Sequence, residues 1–435
     1  MREQILEFVS KFLKKKKSDW VSYSGDNYDE NEYISAIETL MDGWLVFGPR
    51  CREFEKKFSQ QLGRRHGIYT NSGSSANLLM MAAAKSPNGL NFPEGSKIIT
   101  PAVCFPTTIN PIIQMGFDPV FVDVELPNMN LNLDAVEDKL KEDDDIKGIC
   151  FAHVAGNPPD MERLVKLSNE YNVHIFEDCC DALGSSVNGK KLGSFGTMST
   201  CSFYPAHHMS TAEGGYVATD DPKLFRTLNS LRDWGRDCYC NIGKPGCVTD
   251  GTACGNRFQS WLKNFPEIIY DHRYVYREIG YNLKPIEIQG AFGLEQLKKL
   301  PMMEQGRKDN YNKLRNIFSR YKDFIIAESL EGVDTCWFCF LITVDTNSKF
   351  TKQDLVQHLE NDKIQTRPYF AGNVLYHPAY EKFASKYDCI HTAFPISKIA
   401  TTNSFFLGTY SGLTDDCINR IEKSLKTFME KQNVN

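Results

Sequence analysis

Short apolar runs rich in Ile, Val and Phe recur between segments of helical spacing, and that alternation most narrows the folds open to this chain. The runs are Lys97 to Ala102, Pro119 to Val124, Ile146 to Val154, Val173 to Asp178, Met198 to Tyr204 and Tyr216 to Ala218. Between them lie the helix-like segments Leu133 to Lys141, Met161 to Tyr171 and Pro222 to Leu231. Buried strands alternating with helices predict an α/β domain around a mainly parallel sheet. From about Phe292 the order changes to a helix, a strand at Cys336 to Val344 and a helix around Leu355 to Leu359, which predicts a smaller α+β domain. The expected division is a helical extension over 1–42, a large α/β domain over 43–291 and a small C-terminal α+β domain over 292–435. A chain of 435 residues is long for one compact core, in keeping with two domains.

Charge and cysteine content exclude several function classes. A net charge of -5 argues against a nucleic-acid partner. The one basic block, Lys14 to Lys17, follows Ile5, Leu6, Val9, Phe12 and Leu13 at helical spacing and reads as the solvated end of an N-terminal helix. No apolar run is long enough to span a bilayer and no signal-peptide core is visible, so the expected location is cytoplasmic, away from membranes. Fourteen cysteines in a long chain without an export signal suggest metal ligation where they cluster. Cys51, Cys104, Cys150, Cys201, Cys336, Cys339, Cys389 and Cys417 sit in mostly apolar contexts and are expected as small core residues. If its strand continues that far, Cys179 points away from Cys180.

Ligands of such sheets bind at the carboxyl ends of the strands, and the chemistry-bearing residues fall there. Asn71-Ser72-Gly73-Ser74-Ser75 precedes a helix-like run from Ala76 to Ala84, so backbone N–H groups, hydroxyls and the helix dipole can hold a phosphate. Asp178 ends an apolar strand, where a carboxylate can keep a pyridinium nitrogen protonated. Ser202 offers a second hydroxyl for the phosphate, and Phe105 an aromatic face for the ring. Each has a plainer reading alone: a Gly-Ser turn, a helix cap, a core phenylalanine.

In order, the motifs GSSAN, PAVCFPTT, PVFVDVE, HVAGNPPDM, EDCCDALGS, SFYPAHH, AEGG and GYNLKPIEIQGAFGLEQL resemble the DegT/StrS-type sugar-nucleotide aminotransferases, a branch of the fold-type I pyridoxal-phosphate enzymes. The resemblance is strong over Gly43 to Leu297, and GLTDD near Gly412 extends it weakly. It implies the fold-type I PLP-dependent transferase fold, with a phosphate cup at Gly73, Ser74 and Ser202 and Asp178 against the pyridine nitrogen. It also implies a homodimer with shared active sites, in which Asn282 of the GYN motif reaches the phosphate of the neighbouring subunit's cofactor. Arg367 and Asn373, in TRPYFAGN, resemble the family's substrate loop, and Arg can pair with a diphosphate. Arg367 reads equally as a surface ion pair.

His207 stands where this family usually has a lysine. Imidazole cannot form the covalent link to the cofactor that a lysine amine forms, and Lys190 and Lys191 lie before the strand. The expected role of His207 is a base near neutral pH acting on C-4′ of bound pyridoxamine phosphate; the plainer reading is a histidine that fills the pocket, which is the expectation for His208.

Two groups of relatives carry this histidine, the GDP-4-keto-6-deoxymannose 3-dehydratases and the iron-sulfur CDP-4-keto-6-deoxyglucose 3-dehydrases. The cysteines resemble the second. Cys180 and Cys238 are separated by 57 residues, Cys238-Tyr239-Cys240 supplies a pair, and DWGRDCYC and ACGNRF flank them, which points to Cys254 as a fourth ligand of a [2Fe-2S] cluster. The 13 residues between Cys240 and Cys254 are more than that group has, and Cys247 lies among them, so either Cys247 or Cys254 completes the set. A zinc site of Cys238, Cys240, Cys247 and Cys254 is the competing reading; thiolates suit either metal.

The resemblance thus implies C-3 deoxygenation of a nucleotide-linked 4-keto-6-deoxyhexose, CDP-linked by resemblance alone with a TDP-linked substrate open, on the way to a 3,6-dideoxyhexose of cell-surface polysaccharide. Electrons would come through the cluster from an NADH-dependent flavin and iron-sulfur reductase. The rivals are a cluster-free, glutamate-dependent 3-dehydratase, an aminotransferase, which would need the missing lysine, and a nonenzymatic scaffold of the same fold.

Overall fold

The computed structural model describes residues 2–13, 18–25, 27–238 and 257–434. Its centre is a seven-stranded sheet of β1 (His66–Thr70), β2 (Lys97–Pro101), β3 (Asp118–Val122), β4 (Ile146–Ala152), β5 (His174–Asp178), β6 (Met198–Ser202) and β7 (Gly215–Thr219), in the spatial order β1-β7-β6-β5-β4-β2-β3. The run from β3 through β2, β4 and β5 to β6 is parallel, and β7 lies antiparallel to both β6 and β1. The expected α/β class with a mainly parallel sheet is therefore the observed one. All six expected strands begin and end within two residues of prediction, because each is largely buried on both faces. The second run, Pro119 to Val124, stops at Val122, and Val124 starts a separate short strand with Glu125. β1 went unnoticed in the sequence, since HGIYT mixes polar and apolar residues although four of its five positions are buried.

Helices cover both faces. On one lie α4 (Gly73–Lys85), α5 (Pro106–Gln114) and α8 (Pro222–Arg232), packing Leu79, Met80, Ile112 and Leu228 on Ile98, Cys150, Phe176, Met198 and Val217. The opposite face packs α3 (Pro49–Ser59), α6 (Leu133–Glu142) and α7 (Met161–Glu170) on Ile99, Ile149, Ile175 and Cys201. The long helix α9 (Glu287–Phe318) runs through residue 292, where the sequence suggested a boundary, and carries the chain from one core to the other. Beyond it an antiparallel sheet of β8 (Phe324–Ile326), β9 (Cys339–Val344), β10 (Arg367–Pro368) and β11 (Ser404–Gly408), in the order β8-β9-β11-β10, packs on α10 (Lys352–Asn361) and the C-terminal helix Asp415–Val434. N-terminally, α1 (Arg2–Phe12) and α2 (Glu30–Asp42) flank a strap whose Val21 bridges Ile364 of the small domain. Among the described residues no helix is long and apolar enough to cross a membrane.

Six of the eight cysteines expected in the core are buried. Cys389 is exposed and Cys417 half-buried, so these two expectations are corrected: Cys389 precedes a four-residue surface helix and Cys417 sits in the first turn of the C-terminal helix.

One buried carboxylate joins elements far apart in sequence. Gly48, the N-cap of α3, brings no side-chain cap, and Glu287 from the first turn of α9 supplies one: its oxygens accept from the amides of Gly48 (2.7 Å), Arg50 (2.5 Å) and Cys51 (3.3 Å). With Glu287 1% exposed, Glu287→Ala leaves three donors at a helix N-terminus without an acceptor. The expected cost is about 2–4 kcal/mol, read as a lower urea midpoint at unchanged slope.

Candidate active site

The parallel strands β4, β5 and β6 end together, and their ends form the floor of the site. Asp178 is the last residue of β5, in register with Ala152 of β4 and Thr200 of β6. On this face α4 and α5 begin, so their first turns overhang the carboxylate. Oδ2 of Asp178 accepts from Asn77 Nδ2 (2.8 Å) and Thr108 Oγ1 (2.8 Å), and Oδ1 from the Cys180 amide (3.0 Å). Asn77 is itself oriented, its Oδ1 accepting from Thr200 Oγ1 (2.6 Å). Asp178 is 4% exposed, and among the described residues no cation pairs with it. A buried carboxylate held by neutral donors alone is a site for a cation.

The phosphate side is built from glycine and serine. Ser72 caps α4, its Oγ accepting from the Ser75 amide (3.1 Å), and the first-turn amides at Gly73 and Ser74 have no acceptor within the helix. A Cβ on Gly73 would lie 2.5 Å from Cβ of Ser202, and one on Gly215 would lie 2.1 Å from the Ser72 carbonyl oxygen. Only glycine lets the helix start approach the end of β6 this closely. Ser74 is exposed, and Phe105, N-cap of α5, is 54% exposed although its neighbours Cys104 and Thr108 are buried. An anion cradle, an open aromatic face and a buried carboxylate together fit a pyridoxal-type cofactor: Gly73, Ser74 and Ser202 for its phosphate, Phe105 for its ring and Asp178 for its pyridinium N–H.

His207 lies on the loop between β6 and β7. Its ring rests against Phe338 (centroids 5.3 Å apart), and its Nδ1 is 3.5 Å from Oδ1 of Asp181. From α9, the buried Arg307 donates to the carbonyls of His207 (2.8 Å), Ala206 (3.3 Å) and Phe338 (2.9 Å). Burial pushes the Asp181 carboxyl up, and His207 beside it pulls the other way. With Nδ1 turned to Asp181, Nε2 is the nitrogen left for proton transfer. His208 is 2% exposed with its Nε2 2.8 Å from the Cys336 carbonyl oxygen.

Burial, then the Arg307 charge, hold His208 well below the ordinary histidine range. Below about pH 6.5 the unfolded chain takes up a proton there that the folded chain refuses. This contribution to stability is complete above that pH and is lost as pH falls, by up to about 1.4 kcal/mol per pH unit. Urea unfolding between pH 5 and 7 is expected to show that slope, and His208→Asn to flatten it.

The other predicted residues scatter. Arg367 donates NH1 to the Thr366 carbonyl (2.7 Å), and its guanidinium carbon lies 4.1 Å from the centroid of the Tyr23 ring. The alternative of a surface ion pair is not what the geometry shows, since no carboxylate among the described residues pairs with it. Asn373 is fully buried; its Oδ1 caps the turn at Leu375 (3.0 Å), and its Nδ2 has no partner among the described residues. Asn282 is exposed beside Leu283, whose carbonyl accepts from the Asn71 amide (2.9 Å). Lys190 and Lys191 form a short hairpin strand, with Lys190 Nζ over the Phe195 ring and Lys191 Nζ on Gln61. Cys179 is fully buried among apolar side chains and Cys180 is half-buried. Burial and then the Asp178 charge push the Cys180 thiol well up. Of the other expected metal ligands Cys238 is half-buried, while Cys240, Cys247 and Cys254 lie outside the described residues.

Fold and site fit a vitamin B6-type enzyme, and comparison with known proteins agrees with that class. Residues 26–426 match the model of the DegT/DnrJ/EryC1/StrS aminotransferase family, and the chain belongs to that family. It is 38% identical to the dTDP-4-dehydro-2,6-dideoxy-D-glucose 3-dehydratase of Saccharopolyspora spinosa, over 94% of this chain and 86% of that one. It is 37% identical to the lipopolysaccharide biosynthesis protein RfbH of Salmonella typhimurium, over 98% of each. Among solved structures it is similar to GDP-4-keto-6-deoxymannose-3-dehydratase with bound GDP-perosamine, with a TM-score of 0.81 at 27% identity over 93% of this chain and 99% of that one. The same enzyme with a trapped PLP-glutamate geminal diamine gives a TM-score of 0.79 at 27% identity, covering 93% and 99%.

Proposed function

We propose that the chain is a pyridoxamine-phosphate-dependent 3-dehydratase of a nucleotide-linked 4-keto-6-deoxyhexose, with His207 as its proton-transfer base. The observation that carries this is the histidine, backed by Asp181 and gripped by Arg307, on a loop beside a cup that fits the cofactor. The bound cofactor supplies an amine for the sugar's C-4 ketone and a ring that stores electrons. Asp178 holds the ring nitrogen's proton, and Gly73, Ser74 and Ser202 fix the phosphate. His207 would take the C-4′ proton at Nε2 and pass it to the departing C-3 hydroxyl, which leaves as water. Arg367 faces the substrate diphosphate, with Asn373 behind the same loop. The relatives named as dTDP- and GDP-sugar 3-dehydratases support the reaction class and leave the nucleotide open. The decisive measurement is deuterium exchange at C-4′ of bound pyridoxamine phosphate with CDP-, dTDP- and GDP-linked 4-keto-6-deoxyhexoses in turn; a protein that binds the cofactor and exchanges with none of them is not this enzyme.

A second, finer reading concerns electrons. Cys180 follows the cofactor's carboxylate partner by two residues, and its spacing to Cys238 favours these two thiols as ligands of a [2Fe-2S] cluster with Cys240 and either Cys247 or Cys254. Such a cluster would pass electrons singly from an NADH-dependent flavin and iron-sulfur reductase, completing C-3 deoxygenation of a CDP-linked sugar. Anaerobic protein is expected to show one reduced [2Fe-2S] signal by EPR per chain after dithionite, and Cys180→Ser to lose it. Stoichiometric zinc and a silent spectrum would instead leave the glutamate-dependent dehydratase. Exposed Met41, Leu45 and Ile286, brought together where the Leu45 carbonyl accepts from the Glu287 amide, support a homodimer in which Asn282 reaches the neighbour's phosphate cup. Light scattering at the mass of one chain would overturn it.

A further inference from the structure

The loop that carries His207 is tied to the long helix α9 and, further along, to the N-terminal segment before α2. Arg307 grips it at the His207 carbonyl. Three to five residues further on, the hydroxyl of Tyr28 donates to Ser210 Oγ (2.6 Å) and accepts from the Ala212 amide (3.0 Å). Tyr28 lies just before α2, about 180 residues away in sequence. Its ring is fixed edge-on against Phe292 of α9 (centroids 5.1 Å) and Tyr33 of α2 (6.5 Å), which aims the hydroxyl at the loop.

The loop needs such a tie. Ala212 has φ of 67°, a left-handed conformation that costs a residue with a Cβ about 1–2 kcal/mol. Its amide donates to the Ser210 hydroxyl (3.2 Å) as well as to Tyr28, and the Tyr28 oxygen, acting as donor and acceptor, engages both groups of that turn. The Ser210 amide donates to Gln296 Oε1 (3.2 Å), and Gln296 Nε2 donates to Glu32 Oε1 (2.6 Å) and to the Asn27 carbonyl (3.3 Å), so this side of the loop rests on the segment around Tyr28. Further back, the same strap is joined to the small domain: Val21 bridges Ile364, and the Tyr23 ring lies edge-on to Phe406 and under the Arg367 guanidinium.

We infer that Tyr28 is a positioning residue for His207, and that the N-terminal strap, through its phenol, sets the geometry of proton transfer. The inference rests on the proposed role of His207. Without the phenol the turn keeps only its longer bonds, the Ala212 amide to Ser210 Oγ and the Ser210 amide to Gln296 (3.2 Å each), so Ala212 is freer to relax and the imidazole, still tethered at Arg307, moves relative to a cofactor held by other elements. Displacement of about 1 Å at a reacting group costs about 100-fold in rate.

Tyr28→Phe tests this cleanly, because it keeps the ring packing and deletes one oxygen. The full chain loaded with pyridoxamine 5′-phosphate is expected to lose about 10- to 100-fold in C-4′ exchange at saturating CDP-4-keto-6-deoxyglucose, with KM and cofactor affinity within about twofold of wild type. Without cofactor or substrate, hydrogen–deuterium exchange mass spectrometry is expected to show faster uptake in residues 204–213 and an unchanged remainder. Wild-type exchange kinetics in Tyr28→Phe would overturn the inference. So would unchanged uptake in 204–213, or a rise spread over the whole chain, which marks a general stability role. A wild-type protein that takes up no cofactor brings down the functional reading and this one together, and does so before any variant is made.

Discussion

His207→Asn protein is expected to keep pyridoxamine phosphate bound at close to wild-type affinity and to lose C-4′ proton exchange by about 10²–10⁴-fold, the range for removing a positioned acid–base group. Affinity should survive because none of the cofactor's expected contacts comes from His207: the cup belongs to the start of α4 and the end of β6, the carboxylate to β5. Asparagine also spares the loop, since the Arg307 bond is made to the backbone carbonyl at 207, which any side chain retains. What disappears is a ring nitrogen that can accept a proton, and an amide does not replace it. The check is NMR observation of the C-4′ position in D₂O, with bound cofactor measured by absorbance in the same sample. Retained exchange would make His207 a pocket filler and move the search to the carboxylate beside it, Asp181.

How far the sequence carried varied with how local each signal is. Strand ends such as Asp178 were legible because an acidic residue closing an apolar run states its own position. Histidine at 207 was legible from the motif around it. Asn77 and Thr108, which hold Asp178, sat inside GSSAN and PAVCFPTT, yet their part depends on α4 and α5 overhanging the same strand end, a relation between segments 31 residues apart. Arg307 and Tyr28 gave no signal at all, one a lone cation in a long helix and the other a tyrosine in a polar stretch. Each meets the His207 loop only after the small domain and the N-terminal strap have folded against the large one. Asp181 is the instructive case. It stood in EDCCDALGS beside two cysteines and an aspartate that drew the chemistry, and only the structure turns it toward the imidazole.

Asp178→Asn carries the second large effect, and it should appear both in stability and in chemistry. A carboxylate offers acceptors on both oxygens, and the structure uses them: Asn77 and Thr108 donate to one, the Cys180 amide to the other. An asparagine has one acceptor and one donor. If its oxygen takes the Asn77 and Thr108 side, its NH₂ faces the Cys180 N–H; if it is turned, the NH₂ faces Asn77, and the pair Asn77–Thr200 must turn round to receive it. Either arrangement leaves a buried donor opposed or rebuilds the relay, at a cost of about 1–3 kcal/mol. The chemical loss is separate. The negative charge that keeps the ring nitrogen protonated is gone, and with it the fixed electrostatic stabilisation of electrons draining into the ring, a loss of about 10²–10³-fold in C-4′ exchange. Urea unfolding of the cofactor-free variant reads the first effect, and exchange at saturating cofactor reads the second. Normal exchange in a destabilised variant would reduce Asp178 to a buried structural acid. Because its three donors are all neutral, that outcome would leave its buried charge without a cation and the floor of the site without a purpose.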